Sequence, residues 1–127
     1  MNIYLDIDGV ILTKEGKQMP YLEQFIDKCF QLGDVYWLTT HCKDSNTQGC
    51  INHLKGKIDE QILEKLLKVK GTVWRTLKTE GIDFNEEFLW FDDNIFQAEV
   101  RELKNHGCEH CLMLVNENLE EITESIS

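Results

Sequence analysis

The chain lacks several features that would point to a membrane-spanning, multidomain or zinc-stapled protein. No apolar run approaches the roughly 20 residues of a membrane-spanning helix, and the sequence opens on a strand-like segment rather than a signal peptide. A cytoplasmic protein with no membrane partner is therefore expected. There is one proline, and there are no repeats, low-complexity tracts or linkers at which the chain would divide. Residues 1–127 read as one domain, long enough to bury a core. Positive charge is also scarce: 13 Lys and Arg stand against 23 Asp and Glu, for a net charge of −10. That balance argues against broad, nonspecific binding to nucleic acid, which depends on basic residues, but it leaves room for a small basic rim. The paired CxxC spacing of a structural zinc site is missing too. Five cysteines, an odd number without a secretion signal, read as reduced thiols. A zinc site could be assembled from Cys42, Cys50 and His53, or from His106, Cys108, His110 and Cys111. However, Cys29 and Cys111 fall in apolar patterns, where cysteine behaves as a small hydrophobe.

What the chain does have is concentrated in residues 3–10, Ile-Tyr-Leu-Asp-Ile-Asp-Gly-Val. Ile3, Leu5 and Ile7 alternate as in a strand. The run delivers Asp6 and Asp8, two residues apart, with Gly9 after them. Two acids at the end of a buried strand are costly unless something positive sits between them. A hard divalent cation with oxygen ligands, Mg²⁺ above all, is the usual compensation. A calcium loop is the alternative for DxDG, but residues 10–12 supply no further oxygen ligands.

Beyond that opening, strand and helix patterns alternate. Residues 2–7, 35–39, 87–92 and 111–115 read as strands. Pro20 suits the first turn of a helix in which Leu22, Phe25, Ile26 and Cys29 share one face and which Gly33 stops. Residues 44–54, 58–69, 74–81, a stretch ending at His106 and 119–126 read as further helices; 71–73 is a faint extra strand. Trp37, Trp74 and Trp90 read as core. This order implies an α/β, three-layer, Rossmann-like parallel sheet with helices on both faces. Ligands of such sheets gather at the carboxyl ends of the strands. Asp6, Thr39 and Thr40, and Asp92 and Asp93 end three of these strands and should share one crevice.

These groups suit phosphoryl transfer. Asp6 at a strand tip can attack phosphorus and form an aspartyl-phosphate. Asp8 can protonate the leaving oxygen and then activate water. The Thr39 hydroxyl can hold phosphoryl oxygens, and a lysine can cancel charge between nucleophile and phosphate. Asp92 and Asp93 can complete the Mg²⁺ sphere with Asp6 and Asp8.

DIDGV, the threonine of WLTT, a lysine in LKTEGID and the acidic pair of LWFDDN resemble, in order and spacing, the four motifs of the haloacid dehalogenase superfamily of phosphohydrolases. The resemblance covers residues 3 to about 115. It implies a nucleophile at Asp6 and an acid–base at Asp8, whose backbone carbonyl also binds Mg²⁺. It implies a phosphoryl-binding hydroxyl at Thr39, with Thr40 the alternative, and a metal ligand at Asp93 supported by Asp92. Lys78 fits the third motif, with Arg75 and Lys70 close enough to compete. Residues 9–38 and 41–77 are too short to hold the family's cap domains, so the chain resembles a capless member. Such members act on accessible or macromolecular phosphates. WLTT, KTEGID and WFDD also resemble the phosphatase-like domain of modular "Swiss Army Knife" RNA-repair proteins, which implies a phosphorylated RNA or DNA end as partner. Gly9, Thr40 and His41 are the residues expected beside the substrate; a loop histidine such as His41 is otherwise simply solvated. The rival reading is a catalytically silent phospho-binding or receiver-like module. Receiver modules place their acid pair near the first strand and a lone Asp later, the reverse of the order here.

Overall fold

The apolar run that opens the chain becomes one of the two inner strands of a parallel sheet. The computed structural model describes residues 1–126. Strand β1 (Asn2–Leu5) pairs with β2 (Asp34–Trp37) on one side and β3 (Phe88–Asp92) on the other, and β4 (Leu112–Leu114) lies beyond β3. Every pairing is parallel, in the order β2-β1-β3-β4. Leu5 stands between Trp37 and Phe91, so β1 and β2 end level and β3 runs one residue further, to Asp92.

Alternation along these strands makes two cores. Ile3, Leu5, Val35, Trp37 and Phe91 face one side, where they meet α1 (Leu22–Leu32), α2 (Gln48–Leu54), α3 (Glu60–Leu66) and, through Leu119 and Ile122, the closing helix. Tyr4, Phe88 and Trp90 face the other side, under Leu103 of α4 (Gln97–Asn105). The closing helix is α5 (Leu119–Ser125). Helices therefore cover both faces, as strands that are apolar on both sides require. Leu22, Phe25, Ile26 and Cys29 form the buried stripe of α1, and Phe25 meets Phe91 edge-to-face at 5.0 Å. Such a pair contributes about 0.5–1.5 kcal/mol beyond its burial. Trp37, Trp74 and Trp90 are all buried. Among the described residues, no helix is long and apolar enough to cross a membrane.

Several boundaries differ from the sequence pattern. Regular pairing of β1 stops at Leu5, although the Asp6 N–H still donates to the Phe91 carbonyl at 3.1 Å. The Ile7 carbonyl then accepts the N–H groups of Val10, Ile11 and Leu12, which folds the chain into a tight turn. Pro20 lies ahead of α1 rather than in its first turn, because Tyr21 adopts a left-handed φ of 69° before the helix starts. The faint strand at 71–73 is replaced by a single parallel bridge between Lys70 and Tyr36. Residues 74–81 do not form a helix beyond a 3-10 turn at Lys78–Gly81. The reason is local: the Glu80 carboxylate accepts the backbone N–H groups of Arg75, Thr76 and Leu77 at 3.0–3.3 Å and holds them in an open loop.

Candidate active site at the carboxyl edge of the sheet

β1 and β3 are adjacent in space but far apart in sequence, and their carboxyl ends bring Asp6 beside Asp92 and Asp93. One carboxylate oxygen from each of the three lies within 4.8 Å of the others, a set that could hold a metal ion. Gly9 makes room for the third. It sits at φ +88°, and a Cβ there would overlap the Asp93 carboxylate. The donor set is all oxygen, which suits a hard cation.

Lys78 closes the arrangement. The 3-10 turn that it opens is tied to α4 because the Lys78 N–H donates to the Glu99 carboxylate at 2.8 Å. Glu99 is buried and also takes the Phe96 N–H at 2.9 Å. From there the Lys78 ammonium reaches Asp92 at 2.7 Å and Asp6 at 3.3 Å. Neither rival cation takes this place: the Lys70 ammonium lies 3.7 Å from Asp34, the first residue of β2, and Arg75 is exposed on the loop held by Glu80.

Three acids and one ammonium leave the site short of positive charge. Burial pushes the Asp6 carboxyl above its ordinary range, although Lys78 opposes the shift. Asp92, fully buried, is pushed up to about 6 by burial and then by the charge of Asp6. Asp93 is raised by burial and by Asp92. Burial would lower the Lys78 ammonium, but Asp6 and Asp92 outweigh it and hold the group above its usual value. All four shifts express one condition, a pocket that favours an added proton or cation.

Asp8 points elsewhere. In a continuing strand, residues two apart share a side, but the turn after Asp6 ends that period. The Asp8 side chain is 63% exposed, with His41 Nε2 at 2.8 Å from one carboxylate oxygen and His53 Nε2 at 3.3 Å from the other. Slight burial would raise its pKa, yet the hydrogen bonds from His41 and His53 prevail and hold it below the usual carboxylate range. The two imidazoles stack at 3.8 Å. Asp8 and the acidic trio thus form two separate clusters at the same edge.

The threonines also divide. Thr39 lies beyond β2 and is fully buried, and its hydroxyl accepts the His41 N–H at 3.3 Å. It holds the turn that carries His41. Thr40 is exposed and lines a 260 Å³ groove with Lys78, Lys43 and Phe96. Lys43 rests over the Trp74 ring, and Phe96 is 65% exposed. A second cleft of 430 Å³ opens on the far side of Asp93, past Gly9 and Lys14.

Neither cysteine set read as a zinc alternative converges among the described residues; instead the Cys42 and Cys50 thiols sit 2.6 Å apart. His53 and Glu99 are the neighbours that sequence reasoning did not place at this edge. His53 was visible only as a zinc alternative, and Glu99 reads as an ordinary helix acid. Only the tertiary packing of α2 and α4 brings them in. No protein-family model matches this chain, and neither a curated protein nor a solved structure does.

Proposed function

We propose that the chain is a Mg²⁺-dependent phosphomonoester hydrolase of the haloacid dehalogenase type, acting through an aspartyl-phosphate on an accessible phosphate such as a nucleic-acid end. The observation that carries this reading is the convergence of Asp6, Asp92 and Asp93 around Lys78 at the junction of β1 and β3. Crevices at such strand junctions are where open parallel sheets bind ligands.

In this reading an Asp6 oxygen attacks phosphorus, and the bond from phosphorus to the ester oxygen breaks. Asp8, once turned into the acidic pocket that favours an added proton, takes a proton from solvent and gives it to the departing oxygen. It then takes one from water, whose oxygen attacks phosphorus and breaks the bond to Asp6, releasing inorganic phosphate. Proton transfer of this kind contributes about 10²–10⁴-fold. To do so Asp8 turns from the imidazoles toward Asp6, and its exposure leaves that rotation free of packing. Lys78 offsets the repulsion between the Asp6 carboxylate and the phosphate. Asp6, Asp92 and Asp93, with the Asp8 carbonyl, would hold Mg²⁺, which when bound supplies charge neutralisation at the phosphoryl oxygens. Thr40 offers an exposed hydroxyl on the groove that Lys78 also lines, whereas the Thr39 hydroxyl is buried against the His41 N–H. The groove with Lys43 and exposed Phe96 suits a terminal phosphate followed by an unstacked base.

Engagement of Asp8 by His41 and His53 favours a second reading, a phospho-binding module without turnover. One experiment separates the two. The protein is incubated with an aryl phosphate and with 5′- and 3′-phosphorylated oligonucleotides, with Mg²⁺ and with excess EDTA. Phosphate release that needs Mg²⁺ supports the hydrolase; saturable binding without release supports the module. Full turnover in EDTA would remove the metal from the mechanism.

A further inference from the structure

The His41–His53–Asp8 cluster gathers the donor groups of a second metal site, distinct from the acidic trio. Each imidazole presents Nε2 to a different oxygen of the same carboxylate, at 2.8 Å and 3.3 Å. All three donor groups lie within 4.8 Å of one another. A cation bound at about 2.0–2.1 Å by imidazole and carboxylate places neighbouring donors about 2.9–3.3 Å apart. The two imidazole-to-carboxylate spacings fall close to that range, and on binding the stacked rings, 3.8 Å apart, splay to bring both Nε2 lone pairs onto one ion.

The backbone holds the two imidazoles together. Gly49 lies in the first turn of α2, and a Cβ there would come within 2.6 Å of the His41 carbonyl. The missing side chain lets the helix rest on the His41 backbone. Four residues later, on the same helical face, His53 stacks its ring over His41 at 3.8 Å with 19° between planes. Thr39 fixes the other partner by accepting the His41 N–H. Both histidines are about a quarter exposed, and Asp8 is open, so one side of the cluster faces water.

We propose that His41, His53 and Asp8 bind a divalent transition-metal ion, with water completing its coordination. Two imidazoles and one carboxylate favour such ions over Mg²⁺, which prefers oxygen. Three protein ligands leave the ion open to a further ligand. The inference does not rest on the hydrolase reading. An ion here and proton transfer by Asp8 would exclude each other, so the two cations would act in opposition. Lys57 works against binding. Its ammonium donates to the His53 carbonyl at 2.8 Å and lies 3.4 Å from Nδ1, which would carry a proton when Nε2 ligates.

The test uses Co²⁺ with the full, reduced chain in an excess of Mg²⁺. The expected result is one retained Co²⁺ per chain, without the intense thiolate-to-cobalt absorption that binding to Cys42 or Cys50 would give. Loss of even an outer-shell partner weakens a metal site by about 10–100-fold. His41→Gln and His53→Gln should each therefore weaken binding by about 10-fold or more, Asp93→Asn should leave it unchanged, and Lys57→Met should tighten it. Melting curves establish that each variant is folded. A readout on the unaltered chain stands beside these: Zn²⁺ should shift the ring ¹⁵N signals of both histidines to the pattern of an Nε2-bound imidazole. No retained Co²⁺, thiolate absorption, or unchanged histidine ring signals would overturn the proposal.

Discussion

Gly9 and Asp93 share one space: the position a Cβ would take at residue 9 is filled by the Asp93 carboxylate. With φ at +88°, Gly9 is also held in backbone that other residues adopt at a cost of about 1–2 kcal/mol. Gly9→Ala should lower the melting temperature and also displace Asp93. Calorimetric titration with Mg²⁺ should show affinity down by about 10-fold or more, while the cluster at His41 keeps its own metal response. Unchanged Mg²⁺ affinity in a folded Gly9→Ala would remove Asp93 from the site.

The trio makes a prediction about pH that runs opposite to the usual carboxylate case. Asp92 has its pKa raised from an ordinary 3.8 to about 6 in the fold, by burial first, and Asp6 and Asp93 shift the same way. The folded state then binds protons more tightly than the unfolded state. The stability from these groups is fully present below pH about 4 and is lost as pH rises through about 6. In cation-free buffer the melting temperature should fall across that interval. Saturating Mg²⁺ should reverse the trend, because the cation binds the ionised carboxylates. A cation-free melting temperature that rises from pH 4 to 6 would contradict the raised values.

The two threonines should separate by effect. Thr39→Val deletes a buried hydroxyl that accepts the His41 N–H, leaving an orphaned donor at a cost of about 1–3 kcal/mol. Stability should drop and the His41 turn loosen. Thr40→Val removes an exposed hydroxyl on the groove beside Lys78. It should leave the melting temperature unchanged and raise KM for phosphorylated oligonucleotides. Equal losses of stability from both variants would mean that Thr40 is structural as well.

How far the sequence could be read follows from where periodicity holds. The sheet, its parallel sense and the inward face of α1 were legible, because Ile3, Leu5 and Phe25 repeat at strand or helix spacing. On α4 the same spacing turns Phe96 inward with Val100 and Leu103, yet Phe96 is exposed and Glu99 is buried in its stead. Asp6, Asp92 and Asp93 were legible because each ends such a run. The direction of Asp8 was not, since a turn closed on the Ile7 carbonyl breaks the two-residue period just before it. The loop at 74–77 was lost for a similar reason: Glu80 draws three backbone N–H groups to its carboxylate and unwinds what propensity would make a helix. His53 and Glu99 carry no local signal, because each reaches the site only through the packing of its helix.

The last prediction separates the two opening aspartates, which the fold sends in different directions. Asp6 is buried against Lys78 and Asp92, whereas Asp8 is exposed under two imidazoles. If Asp6 is the nucleophile, Asp6→Asn should abolish turnover and any covalent adduct, because an amide is a very poor nucleophile. Asp8→Asn should still permit attack on a substrate with a good leaving group, such as an aryl phosphate. It should slow hydrolysis of the aspartyl-phosphate by about 10²–10⁴-fold, because no base remains to activate water. The phosphoenzyme should accumulate in that variant alone. Intact-protein mass spectrometry after an acid quench would show a phosphoryl adduct on Asp8→Asn and none on Asp6→Asn. His53→Gln provides the internal control. It frees Asp8 from one of its two imidazoles, so it should not trap the adduct unless His53 itself delivers the proton. An adduct that survives in Asp6→Asn would place the nucleophile elsewhere and end the mechanism proposed here.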